Sequence, residues 1–138
     1  MSRSFTRLLP LALLLLAATC KSRQPAAATA PLSLKQLEGT WLVSHEENSG
    51  DTLVYRPNTY AFPPSRGRTG FAIKPFGRFE QFDVAPTDGL AGRPGTWVAD
   101  GPTRLHIHLT DDRGEPDYNL EVISLDKKQA VLKMRRLP

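Results

Sequence analysis

The sequence contains a single cysteine, Cys20, among its 138 residues. An internal disulfide framework is therefore excluded. Long hydrophobic runs are missing too. The most apolar stretch, residues 8–18, is interrupted by Pro10 and is shorter than the ~20 residues that a membrane-spanning helix needs. Excess charge is absent from the greater part of the chain. The formal net charge is +4, but Arg3, Arg7, Lys21 and Arg23 account for it, and residues 31–138 carry 14 basic and 14 acidic side chains. A neutral domain offers no basic face, so nucleic acid is not expected as a partner. No histidine stands in a motif with a serine nucleophile, and no glycine-rich phosphate loop follows an apolar strand. Neither an enzymatic activity nor a cofactor is expected. There is no internal repeat, and no helical pattern is long enough to connect parallel strands.

What is present begins with an export signature. Arg3 and Arg7 precede the apolar stretch, and Ala17, Ala18 and Thr19 supply small residues before Cys20. Residues 1–19 read as a signal peptide. Leu16-Ala17-Ala18-Thr19-Cys20 resembles the lipobox of bacterial lipoproteins, with Thr19 where that pattern takes Gly, Ala or Ser. The resemblance implies lipid attachment at Cys20 and anchoring in a bacterial envelope, most naturally at the outer membrane. Cleavage beside Cys20 without acylation would instead leave a soluble periplasmic or secreted protein. Residues 20–31 form the anchor cysteine and a linker with two prolines and no apolar periodicity. Residues 32–138 are one domain's worth of chain.

Within that domain, residues 32–37 suit one short helical turn. Strands are predicted over 39–45, 52–56, 69–75, 78–85, 95–99, 103–110, 118–125 and 130–136. Each is short, rich in β-branched or aromatic residues, and bounded by Gly, Pro, Asn or Asp. The clearest alternation is Arg104-Leu105-His106-Ile107-His108-Leu109. Eight such segments with short connections predict an all-β fold, a small eight-stranded antiparallel up-and-down barrel, with an open sandwich as the alternative. In a plain meander the long connections 57–68, 86–94 and 111–117 gather at one end, the end where the N-terminal tether joins.

Leu37-Glu38-Gly39-Thr40-Trp41 resembles the Gly-x-Trp opening of the lipocalin-like proteins. Asp117-Tyr118 resembles their Thr-Asp-Tyr motif, with Pro116 in place of Thr. Arg135 and Arg136 fall where the family carries an arginine over its tryptophan. The fragments together resemble the small lipocalin-like lipoproteins of bacterial envelopes. The resemblance implies a cation–π contact between that arginine and Trp41 at the barrel base, and a mouth at the opposite end. It also implies a small hydrophobic ligand. The expected lining is Trp41, Tyr55, Phe71, Ile73, Phe82, Trp97, Leu105, Ile107, Leu120 and Met134. The alternative is a filled barrel, a non-catalytic structural protein that meets an envelope protein partner through its long loops. Internal volume separates the two: ~300 Å³ or more supports a ligand.

Three clusters carry candidate chemistry. His106 and His108 share a strand face at a spacing that could supply two metal ligands, but they lie opposite the aliphatic face, so they are assigned to solvent and no metal site is expected. In the loop 60–70, Arg66 and Arg68 could grip a carboxylate or phosphate, against the simpler reading of a stiff surface loop. Asp111, Asp112, Glu115 and Asp117 form an acidic cluster without the spacing of a calcium loop.

Overall fold

The computed structural model describes residues 33–84 and 90–138. The predicted signal peptide, Cys20 and the linker lie outside these residues. Eight strands follow in order: β1 Gly39–Val43, β2 Leu53–Pro57, β3 Gly70–Lys74, β4 Arg78–Val84, β5 Leu90–Ala99, β6 Arg104–Leu109, β7 Asp117–Asp126 and β8 Val131–Leu137. All pairings are antiparallel, and the sheet closes into a barrel. Closure leaves no raw sheet edge. The expected all-β, eight-stranded antiparallel barrel is therefore the fold.

Around the barrel the strand order is β1-β2-β8-β7-β6-β5-β4-β3. Six of its eight junctions join consecutive strands, as a meander would. The other two are β1–β3 and β2–β8. Because β3 is antiparallel to β1, it runs in the same direction as β2. Residues 58–69 must return along the whole barrel between them, as a strap beside β1. Every later connection then sits at the end opposite to the one a plain meander assigns. The tight turns 75–77, 100–103 and 127–130 lie at the end where the N-terminal chain joins. The longer segments 44–52 and 110–116 lie at the other end. The expected gathering of long loops at the tether end is thereby reversed.

A 3-10 turn, Leu34–Leu37, plugs the tether end. Leu37 is fully buried, and the Trp41 indole N–H donates to its carbonyl at 2.9 Å. Above this plug the interior is filled by Ile73, Phe79, Leu105, Ile107, Leu109, Leu132 and Met134. Alternation explains most of this. Along β6, Leu105, Ile107 and Leu109 are buried while the residues between them face out. In β7 a register shift between Val122 and Ser124 changes the parity. Leu125 therefore packs on the core beside Leu120 and Val122 despite its odd spacing.

The strap is held by Arg68, which is buried. Its guanidinium donates to both oxygens of Glu46, at 2.9 and 2.7 Å, and to the carbonyls of Val43 and Pro63. It also lies 4.6 Å over the Phe62 ring. Arg68 is thus occupied within the fold: it is not free to grip a ligand, and it is not the surface arginine of a stiff solvated loop either, because it is buried. The Arg68 hydrogen bonds hold the Glu46 carboxyl down at about 2 against an ordinary 4.5. A depressed folded pKa stabilises the protein above the unfolded value, and that contribution is lost as pH falls toward the folded one. The stability gap between the parent and Glu46→Gln is expected to be open at pH 7 and to close between about 4.5 and about 2. Urea melts across that range measure it, and a gap unchanged at pH 2.5 would contradict the pairing.

Candidate functional site

At the end opposite the plug the barrel opens into a cavity of about 220 Å³. Its floor is apolar. Tyr55 and Leu53 come from β2, Phe71 from β3 and Leu120 from β7, and the Tyr55 and Phe71 rings pack 4.9 Å apart. Each of these strands ends or begins at the mouth, so its inward positions converge there. The β4 alternation continues from Phe79 through Gln81 to Asp83. The inward set therefore becomes polar as it reaches the rim.

The polar groups form a connected set. The Tyr118 hydroxyl donates to the Gln81 carbonyl oxygen at 2.7 Å, and the Gln81 amide donates to Asp83 at 2.8 Å. Arg136 lies 4.4 Å over the Tyr118 ring and pairs with Glu115 at 2.6 Å. Arg93, buried on β5, pairs with Asp111 at 2.8 Å and with Asp83 at 3.7 Å, and it also donates to the Arg113 carbonyl. Burial alone would raise the Asp111 pKa, but hydrogen bonds from Arg93 and Arg113 outweigh it and leave the carboxyl below its ordinary value. The acidic cluster of 111–117 is therefore partly internally neutralised at the rim. Burial pushes the Tyr55 phenol up to about 12 and that of Tyr118 higher still. Both are neutral hydrogen-bonding groups at physiological pH.

The ten residues expected to line a pocket separate into three groups. Tyr55, Phe71 and Leu120 form the cavity floor. Trp41, Ile73, Leu105, Ile107 and Met134 are buried below it as core, and Trp97 is half-buried near the plug with its indole N–H on the Lys74 carbonyl. Phe82 is a correction of parity. It pairs with Gly70 and Gly92 on the outer row, while Phe71 pairs with Gln81 on the inner one. Phe79 is the inward aromatic of β4, yet Phe82 still lines the cavity, as expected.

The arginine expected over Trp41 is instead over Tyr118. β8 runs away from the plug, so Arg136 finishes at the mouth, opposite Leu120. Arg135 faces outward and pairs with Glu121. Gln81, Asp83 and Arg93 are site residues that the sequence does not mark. The first two are masked by the aromatic that β4 carries on each face. Arg93 was hidden by Pro94, which made 86–94 look like a loop. β5 in fact begins at Leu90, and the Pro94 carbonyl accepts from both the amide and the hydroxyl of Thr110.

An open groove of about 520 Å³ lies beside the mouth, behind Tyr118 and Arg136, and is bordered by Glu115, Asp117, Asn119 and the C-terminal Pro138. It lacks a buried apolar floor. His106 and His108 stand on the outer wall, as expected, and share Asp117 at 3.5 and 2.7 Å. Among the described residues no group of three or more His, Cys, Asp or Glu could hold a metal. The chain matches no protein-family model, no curated protein and no solved structure.

Proposed function

We propose that this chain is an exported, lipid-anchored protein of a bacterial envelope, a non-catalytic binder whose barrel mouth takes a small amphipathic acid. The mouth cavity carries the reading: a buried apolar floor of Tyr55, Phe71 and Leu120 lies beneath one arginine, Arg136, at the rim. Its 220 Å³ falls short of the ~300 Å³ of a drug-sized pocket. It equals the volume of about seven waters, which suits one ring or a short acyl chain. The apolar part would rest on the floor, and the acid group would meet the Arg136 guanidinium. Glu115 now occupies that guanidinium, so the ligand acts in competition with an internal carboxylate.

Benzoate is a suitable probe. Titrated into the full chain and followed by amide chemical shifts, it should perturb Phe71, Leu120 and Tyr118. Arg136→Leu should weaken it about tenfold, the effect of one charge-assisted hydrogen bond. Glu115→Gln should strengthen it by removing the competitor. Uniform insensitivity of the mouth to benzoate and to short alkanoates would reject the ligand reading. The packed interior below the cavity favours a second reading, a filled barrel that meets an envelope protein. That reading would then take over. The anchor is tested separately: intact mass from the native host must exceed the mass of residues 20–138 by attached lipid.

A further inference from the structure

The plugged end carries an exposed aromatic side chain. Phe76, at the tip of the β3–β4 turn, is 97% exposed. Its φ is +63°, followed by +69° at Gly77. Positive φ is costly for a bulky residue, and Asn-Gly is the usual solution for two successive residues of this kind. The turn therefore holds a phenyl ring in water on a backbone that favours other residues. Val98, 58% exposed, follows Trp97, whose amide donates to the Gly77 carbonyl. The two apolar side chains thus stand on neighbouring segments.

The surroundings indicate what covers them. Lys35, Arg78, Arg104, Lys127 and Lys128 are exposed at this end, against the acids Glu38, Asp100 and Asp126. Asp126 is partly occupied in accepting the amides of Lys128 and Gln129. The N-terminal chain also joins here, through the plug at Leu34–Leu37. An aromatic tip among basic side chains, next to the point where a tether leaves, is the chemistry of an anionic bilayer surface. We propose that the plugged end seats on such a bilayer, with the Phe76 ring at the headgroup–acyl boundary and the barrel mouth turned away from the membrane. The inference rests on the membrane-tethered reading above. One ring and a few bases would not hold a protein on a bilayer unaided, but they suffice to orient one already tethered.

The test fixes the tether chemically, so natural acylation does not decide it. The full chain is coupled through Cys20 to vesicles containing a maleimide-bearing lipid, phosphatidylglycerol and phosphatidylcholine with brominated acyl chains. Phe76→Trp adds a reporter at the tip and Glu115→Trp adds one at the mouth; the parent supplies the background of Trp41 and Trp97. The added emission at position 76 should shift to the blue and lose most of its intensity to bromine, while that at position 115 should be unaffected. Replacing phosphatidylglycerol by a zwitterionic lipid should restore much of the emission at 76. Equal quenching at both positions, or none at 76 on anionic vesicles, would overturn the seat. If intact mass shows no lipid while this result holds, the natural anchor fails and the seat stands.

Discussion

Gly70→Ala is expected to destabilise the protein by ~3 kcal/mol, at the upper end of what overpacking costs. A Cβ at Gly70 would overlap the Trp41 carbonyl oxygen and lie 2.9 Å from the Leu42 Cα. Both are backbone atoms of β1, so no side-chain rotation relieves the clash. The β1–β3 pair is one of two junctions between non-consecutive strands, and separating these strands would open the barrel. Gly92→Ala is the internal comparison. There an added methyl meets only the Glu80 side chain, a flexible group, and the change should cost less than ~1 kcal/mol. Urea midpoints at constant slope report both. Equal shifts for the two variants would show that the β1–β3 contact is looser than described.

Trp41→Ala is expected to cost ~3–5 kcal/mol. The loss has two parts. A large buried ring leaves the core, and the Leu37 carbonyl is left without the indole donor that satisfies it. Trp41→Phe separates them, since it keeps most of the apolar contact and removes the donor, for ~1–3 kcal/mol. The Leu34–Leu37 turn has no other described anchor as specific as this hydrogen bond, so Trp41→Ala should also raise amide exchange at Leu37 and Glu38 ahead of global unfolding. An alanine variant within 1 kcal/mol of the parent would mean that the plug contributes little.

The eight strands were legible because each carries its own period-two pattern between turn residues, as in β6. Partner choice was not, since alternation in β1, β2 and β3 is the same whichever neighbour each one pairs with. The clue lay in a length. A five-residue strand such as β2 covers ~17 Å, and the twelve residues of 58–69 can reach roughly 40 Å. That is enough to return along the barrel, and far more than a hairpin needs. β4 was ambiguous because Arg78-Phe79-Glu80-Gln81-Phe82-Asp83 has an aromatic on each face. Only the register with β3 selects Phe79. The mouth was the hardest part to read. Its floor residues looked like core, its polar rim like surface, and their convergence depends on which way β3 runs.

The β2–β8 junction sets the order of events in the life of the chain. It joins Leu53 to Met134, partners about 80 positions apart, and contacts of such separation form late and slowly. Until the final strand has been synthesised, β2 has an unpaired edge and the cylinder stays open. The nascent chain therefore cannot reach its finished shape early. Under the export proposed above, that delay would keep the chain extensible for passage through a narrow translocation channel.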